Sequence, residues 1–157
     1  MKGNDKVIAA LNNALHEEMT ALSQYFVHSE MCENWKYEKL ATATKKLAKV
    51  EMKHAERLIE RTLFLDGPVH MIWPSQLKIG NTVKEQLEND LEAELGAVKS
   101  YNEAVKLARA EGDNGTADLF AANLEDEEEH TDWLEAQLNL IKDVGYECYL
   151  SMQMETE

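Results

Sequence analysis

An internal repeat with an offset of 76 residues is the feature that most constrains this chain. Glu18 is followed 33 residues later by Glu51, and His54 comes three residues after that. The same residue types return at the same spacing in the second half, and a tyrosine accompanies each set. The repeated residues are Glu18, Tyr25, Glu51 and His54, then Glu94, Tyr101, Glu127 and His130. Four carboxylates and two imidazoles related by an internal two-fold are the donor set that a pair of neighbouring metal ions requires.

The size and composition of the chain favour one domain made of long helices. Its 157 residues are one domain's worth of material, and 44% of them are hydrophobic, which is enough for a core. Seven glycines and two prolines leave few interruptions. The repeat therefore predicts two helical hairpins of a single domain over residues 1–157 rather than two separate domains.

Hydrophobic residues recur at steps of three, four and seven in five segments, which is the helical period. In the first segment this stripe includes Leu11, Leu15 and Leu22, and in the fourth it includes Phe120 and Leu134. Gly145 is a natural stop before the short last segment. The predicted helices are residues 5–34, 38–65, 82–110, 116–143 and 146–154.

The connections between these segments predict the topology. Only a few residues near Trp35 join the first two helices, and the Gly-rich turn at 111–115 joins the third and fourth. About seventeen residues join the second and third, which is enough chain to return along the whole bundle. Two hairpins with one long crossover are the ferritin-like arrangement. The predicted fold class is all-α, a ferritin-like four-helix bundle with a short fifth C-terminal helix.

The repeated carboxylates lie in phase with the apolar stripes. Glu18 falls between Leu15 and Leu22, whereas Glu17 is off the stripe and is expected to be solvated. Each of the four long helices thus directs one glutamate inward, where an apolar residue would be expected. Four buried, unpaired carboxylates would be very costly. Two divalent cations carry the four positive charges that would neutralise them.

The Glu-x-x-His spacing has a separate chemical meaning. Residues three apart share a helix face, so one carboxylate and one imidazole converge on one ion. One glutamate from each of two helices, with Glu-x-x-His from each of the other two, is the known ligand pattern of di-iron carboxylate bundles. Hard oxygen donors with one histidine per ion suit iron or manganese better than copper or structural zinc. The predicted metal ligands are Glu18, Glu51, His54, Glu94, Glu127 and His130.

Other residues near this pattern have open roles. Tyr25 and Tyr101 suit core packing, hydrogen bonding to the glutamates, or electron donation, and Tyr25 is the candidate for a catalytic role. Asp90, one turn before Glu94, is a candidate for orienting a ligand histidine. The remaining histidines belong to no such pattern and are expected to be ordinary surface or loop residues: His16, His28 and His70.

The charge and the cysteines exclude several classes of protein. A formal net charge of −14 argues against nucleic acid or an anionic membrane as partner, since both need a basic face. Cys32 and Cys148 lie far apart, so neither a disulfide framework nor a zinc knot is expected. The N-terminal residues lack the apolar core of a signal peptide. A cytoplasmic location is the expectation.

Several stretches resemble the bacterioferritin family across essentially the whole chain. They include Gln24-Tyr25-Phe26, Glu51-Met52-Lys53-His54-Ala55 and Asp132-Trp133-Leu134-Glu135. The resemblance implies a ferroxidase that oxidises Fe(II) with oxygen or peroxide at a di-iron centre and stores the mineral inside a shell. It also implies ligand roles: Glu18 and Glu94 terminal, Glu51 and Glu127 bridging, and His54 and His130 each on one iron.

The resemblance further implies a haem and an assembly. A haem, of type b or related, would be shared between two-fold-related subunits through Met52 of each, and the residues alone suggest only that Met52 faces away from the metal stripe. The family pattern is a homo-oligomeric shell of 24 subunits built from two-fold dimers. Its stored iron would be released with the help of a ferredoxin or reductase.

This chain departs from the family at two positions. Many members carry a histidine and an acidic residue where this sequence has Lys46 and Val50. An additional iron site on the inner surface is therefore not expected here.

Two other functions share the same ligand set. One is a small di-iron or di-manganese peroxidase or oxygenase, such as a rubrerythrin or a manganese catalase. Rubrerythrins commonly add a Cys-x-x-Cys iron domain, and this chain has no such motif. The other is a non-enzymatic shell protein that stores iron or haem.

Overall fold

Five α-helices make up the regular structure in the computed structural model, which describes residues 1–74 and 76–156. The helices are α1 (Asp5–Asn34), α2 (Glu38–Phe64), α3 (Val83–Ala110), α4 (Asn114–Val144) and α5 (Tyr146–Met152). No strand occurs in the described ranges. The all-α prediction and the five-helix pattern are confirmed.

Side-chain caps set where three of the helices begin. Asn4 accepts a hydrogen bond from the Lys6 N–H at 2.8 Å, and Thr82 accepts one from the Glu85 N–H at 3.2 Å. Asp113 accepts from the Thr116 N–H at 2.9 Å, so α4 begins at Asn114, two residues before the predicted start. Gly145 ends α4 with a φ of 84°, a conformation that glycine adopts without strain.

The four long helices form two hairpins that pack into one bundle. α1 packs along α2, α3 along α4, and the hairpins meet where α1 contacts α3 and α2 contacts α4. α5 packs against α4 and buries Tyr149 completely. None of the helices in the described part of the chain has the length and apolar character needed to cross a bilayer.

The crossover between α2 and α3 runs along α1 from one end to the other. Near its start, the Pro68 carbonyl accepts a hydrogen bond from the Asn12 amide at 2.9 Å. Near its end, the Lys78 N–H donates to Gln24 at 3.0 Å, and the Gly80 N–H donates to His28 at 3.0 Å. The predicted long return along the bundle is therefore present.

Two apolar clusters fill the bundle and leave a polar layer between them. The first contains Leu11, Leu58 and Phe120, and the second contains Leu87 and Leu134. Along α1 and α4, the repeated glutamates and histidines fall between the residues of these two clusters. The core thus seals both ends of the layer that holds the candidate site.

Candidate metal centre

Each long helix contributes one carboxylate to the polar layer, and α2 and α4 each add an imidazole. The six side chains are all buried, with His130 the most exposed at 6%. The Glu-x-x-His pairs of α2 and α4 place carboxylate and imidazole on the same helix face, as the i, i+3 spacing requires. The structure brings together all six residues singled out from the sequence: Glu18, Glu51, His54, Glu94, Glu127 and His130.

The six side chains form two overlapping groups of possible ligands. One group is Glu18, Glu51, His54 and Glu127, and the other is Glu51, Glu94, Glu127 and His130. Within each group, the donor atoms lie within 4.8 Å of one another. Glu51 and Glu127 belong to both groups, so each could link two ions.

The His54 imidazole directs Nδ1 at three carboxylates. Its Nδ1 lies 3.3 Å from Oε1 of Glu18, 3.2 Å from Oε2 of Glu51 and 3.1 Å from Oε1 of Glu127. One N–H cannot serve three acceptors in three directions. The imidazole nitrogen and the three carboxylates instead surround one point, as the ligands of a metal ion do.

The His130 imidazole has the matching surroundings, with the other oxygen of each shared glutamate. Its Nδ1 lies 3.1 Å from Oε1 of Glu51, 3.3 Å from Oε1 of Glu94 and 3.2 Å from Oε2 of Glu127. The two imidazole centroids are 6.4 Å apart, with ring planes inclined by 20°. The internal sequence repeat therefore corresponds to a two-fold axis that relates the two halves of the centre.

Several polar atoms of this layer are buried without a hydrogen bond of acceptable geometry. Native proteins rarely leave such atoms unsatisfied, and each one is costly. A pair of divalent cations would satisfy them all, so the donor set fits two metal ions. The atoms are Oε2 of Glu18, both carboxylate oxygens of Glu51, Oε2 of Glu127 and Nδ1 of His130.

Burial also changes the protonation of the metal-free centre. It raises the pKa of Glu18 to about 8 and that of Glu94 to about 7. For both histidines, burial lowers the pKa, but hydrogen bonds to the surrounding glutamates outweigh it. The pKa of His130 is therefore raised to about 12, and that of His54 well above its ordinary value. Without cations, the centre holds protons in their place.

The two repeated tyrosines bond to the two unshared glutamates across the bundle. Tyr25 of α1 donates to Glu94 of α3, and Tyr101 of α3 donates to Glu18 of α1. Asn123 also donates to the Tyr101 oxygen at 3.1 Å. Both tyrosines fill one of the roles left open for them, the hydrogen bond to a glutamate, and Tyr101 also packs in the first apolar cluster. Electron donation by Tyr25 stays a prediction.

The prediction that Asp90 orients a ligand histidine is wrong. Asp90 does contact a histidine, but it is His28, whose Nδ1 lies 2.9 Å from Oδ1 of Asp90. The carboxylate that contacts a candidate ligand histidine from behind is Asp126, whose Oδ2 lies 2.9 Å from Nε2 of His54. Asp126 lies on α4 directly before Glu127 and contacts a histidine of α2, so no local pattern in the sequence indicated this contact.

The expectation of a surface or loop position is also wrong for His28. It is 1% exposed, and its Nε2 accepts the Gly80 N–H, so its Nδ1 carries the proton that it donates to Asp90. The predicted position is correct for His70, an exposed loop residue, whereas His16 is half-buried in α1.

A cleft of about 400 Å³ between α1 and α3 reaches the centre from outside. Its lining includes Glu18, Glu94 and Glu127 at the inner end, and His16 and Glu17 as well. Glu17 is exposed, as expected from its phase, and accepts a hydrogen bond from Ser100 at 3.0 Å. Although the residue is exposed, partial desolvation of its carboxyl in the cleft raises the pKa of Glu17.

Met52 lies on the side of α2 that points away from the centre. It is 47% exposed although its neighbour Glu51 is fully buried, as expected from the step of about 100° between successive helix residues. The thioether is therefore free to contact another molecule.

Comparison with known proteins places the chain in a family. A model of the ferritin-like domain matches residues 8–144. Bacterioferritins from Mycolicibacterium paratuberculosis and Brucella melitensis are 41% and 42% identical to it, each over 95% of this chain and 94% and 92% of their own. A bacterioferritin from Streptomyces coelicolor is 39% identical over 99% of this chain and 93% of its own.

The chain belongs to the bacterioferritin family. The match to the ferritin-like domain includes all six residues of the candidate metal centre, since it extends from residue 8 to residue 144. The resemblance seen in the sequence is thereby confirmed, and so is the ferritin-like fold.

Proposed function

We propose that this protein stores iron and that the buried centre is a ferroxidase, oxidising Fe(II) to Fe(III). The single observation that carries the proposal is the pair of overlapping ligand groups that share Glu51 and Glu127. A shared pair of carboxylates holds two ions side by side, as in other two-metal sites. Membership of the bacterioferritin family supports iron as the metal.

Each side chain has a separate task in this proposal. Glu18 and His54 hold one ion, Glu94 and His130 hold the other, and the shared carboxylates of Glu51 and Glu127 lie between them. The bound Fe(II) ions supply one electron each, so that together they reduce oxygen to peroxide or peroxide to water. The donor set is rich in oxygen, which favours Fe(III) as the product state.

Binding of iron displaces protons from the centre. The raised pKa values of Glu18 and Glu94 mean that both carboxyls are partly protonated near neutral pH, because they are buried. Ligand carboxylates and imidazoles must lose those protons to bind a metal. Iron uptake is therefore coupled to proton release, and it weakens as the pH falls.

The cleft between α1 and α3 supports an approach of Fe(II) from outside the subunit. Three of the six proposed ligands, Glu18, Glu94 and Glu127, line its inner end, and Glu17 adds a further carboxylate. A cleft lined with carboxylates attracts divalent cations. We expect Tyr25, which is bonded to Glu94 beside the centre, to give up one electron and its phenolic proton when peroxide meets a single bound Fe(II), so that peroxide still receives the two electrons that its reduction to water needs.

A haem shared between two subunits is the second part of the proposal. Met52 offers an exposed thioether sulfur on the face of α2 opposite the centre. Met52 from each of two copies related by a two-fold axis would hold a haem of type b or a related type. Bound haem would supply a one-electron carrier at the subunit interface.

The assembly completes the proposal. We expect a homo-oligomeric shell of 24 subunits built from two-fold dimers, with the mineral in its interior. A ferredoxin or reductase would return electrons for iron release. The expected location is the cytoplasm.

Replacement of the shared carboxylates tests the ferroxidase directly. Glu51→Ala combined with Glu127→Ala should reduce the aerobic rate of Fe(II) oxidation to that of iron in buffer, measured by absorbance of Fe(III). The matched control replaces Glu128 and Glu129, two exposed glutamates of the same helix, and should keep the wild-type rate. An unchanged rate in the Glu51/Glu127 variant would overturn the assignment. Sedimentation separates a large shell from the alternative, a small peroxidase or oxygenase.

A further inference from the structure

The internal two-fold of the centre is broken outside the six ligands. Nε2 of His54, the nitrogen on the far side of the ring from the carboxylates, lies 2.9 Å from Oδ2 of Asp126. The residue 76 positions before Asp126 is Val50, which offers no hydrogen-bond acceptor in its side chain. Among the described residues, no side chain bonds the corresponding nitrogen of His130.

The positive charge next to Asp126 is also not repeated in the second half of the chain. Nη1 of Arg57 lies 3.8 Å from Oδ2 of Asp126. The position equivalent to Arg57 in the second half is Trp133, which carries no charge. Arg57 contacts Asp126, and Asp126 contacts His54. The positions equivalent to Arg57 and Asp126 in the other half of the repeat therefore carry no comparable polar side chain.

A carboxylate behind a metal-binding histidine has a defined effect. It fixes which nitrogen carries the proton, holds the ring in place and raises its basicity as a ligand, and its loss typically weakens metal binding 10- to 100-fold. Within residues 1–74 and 76–156, His54 has such a partner and His130 has none. Both rings direct Nδ1 at three carboxylates at nearly the same distances, so the ligand atoms themselves do not explain a difference.

We propose that the two metal positions are inequivalent, and that Asp126 makes the one at His54 the tighter. Asp126 is a positioning residue, which acts through His54 and does not touch the ion. Filling is then ordered: the first ion binds at His54, and the second binds at the less constrained His130. The inference rests on the proposed metal centre.

Variants that keep only one histidine measure the two positions separately. His130→Ala leaves the position of His54, and His54→Ala leaves that of His130. Each is titrated with Co(II), whose visible absorption reports binding without oxidation, and folding is checked by circular dichroism. We expect His130→Ala to bind Co(II) about 10-fold or more tightly than His54→Ala does.

The residues at the two equivalent positions, Asp126 and Val50, are then exchanged in both single-histidine variants. Asp126→Val should weaken binding in His130→Ala and leave His54→Ala unchanged. Val50→Asp, at a half-buried position, should strengthen binding in His54→Ala. With both changes together, the order of the two affinities should reverse. Equal affinities in the two single-histidine variants, or an order that the exchange does not alter, would overturn the proposal.

The same titration separates this inference from the proposed function. If the wild-type protein binds no Co(II), and alanine at Glu51 and Glu127 changes nothing, the metal centre itself is wrong. If the wild type binds two ions that Glu51→Ala abolishes, but the exchange has no effect, the centre stands and only the role of Asp126 is refuted.

Discussion

Glu51 and Glu127 each direct one oxygen at His54 and the other at His130. The four distances between these oxygens and the two Nδ1 atoms fall between 3.1 and 3.2 Å. Two carboxylates from different helices thus occupy equivalent places between two imidazoles. This relationship gives the centre its two-fold form, and the predicted consequences of metal binding depend on it.

Metal binding should stabilise the fold. The metal-free centre buries oxygens of three glutamates, Glu18, Glu51 and Glu127, without a hydrogen bond, and a cation bound only to the folded state removes that cost. At a free metal concentration of 100 times the dissociation constant, the gain is about 2.7 kcal/mol. Thermal unfolding with Mn(II) and with a chelator measures it. The Glu51→Ala/Glu127→Ala variant should show no gain, and an equal gain in that variant would place the metal elsewhere.

The stability of the metal-free protein should fall as the pH rises from about 4.5 to about 8. In the unfolded chain Glu18 ionises near its ordinary pKa of 4.5, whereas burial raises its pKa to about 8 in the folded state. Between these values the folded state binds more protons than the unfolded state, so raising the pH favours unfolding. The raised pKa of His130 acts in the same direction above 6.5.

Urea denaturation in a chelator at several pH values measures this dependence. Glu18→Gln cannot ionise and should give a shallower fall in the free energy of unfolding. Glu128→Gln, at an exposed position of α4, serves as the control and should keep the wild-type slope. The pKa assignment fails if Glu18→Gln falls as steeply as the wild type.

Tyr25→Phe should slow Fe(II) oxidation by about tenfold or more and leave the number of bound ions unchanged. The substitution keeps the buried ring and removes only the hydroxyl that donates to Glu94. Stopped-flow absorbance gives the rate. Tyr101→Phe, which removes the equivalent bond to Glu18, shows whether the effect belongs to Tyr25 or to any such bond. If Tyr25→Phe oxidises Fe(II) at the wild-type rate, Tyr25 contributes only to packing and not to the reaction.

His28→Leu should loosen the end of the crossover. The imidazole accepts the Gly80 N–H and donates to Asp90, so its loss leaves a buried carboxylate and a buried amide with fewer partners. The expected cost is about 1 to 3 kcal/mol. Limited proteolysis with trypsin should cut faster after Lys78, which lies in the crossover. His70→Ala, in the exposed part of the same segment, is the control, and equal cutting in both variants would refute the role of His28.

The sequence predicted which side chains of the periodic helices point inward. It missed the contacts that depend on the path of the crossover. Helical phase placed Glu18, Glu94 and their partners inward, because residues of one stripe share a face whatever the loops do. His28 follows the same phase, three residues after Tyr25, but its partners come from α3 and from the Gly80 backbone. No local pattern predicts the path of that backbone. The start of α4 was missed by two residues because the Asp113 cap allows Gly115 into the first turn.

The link between Asp126 and His54 was missed for a related reason. The offset of 76 residues identifies residues that repeat, whereas Asp126 is informative because Val50 does not repeat it. Departures from an internal repeat gain meaning only when the structure shows which side chains they face.

Anomalous diffraction at the iron edge, from crystals grown without metal and then soaked anaerobically in Fe(II), tests the metal centre most directly. Two peaks per chain are predicted, both bordered by Glu51 and Glu127, with His54 beside one and His130 beside the other. An empty interior, with iron bound only to surface carboxylates, would contradict the account.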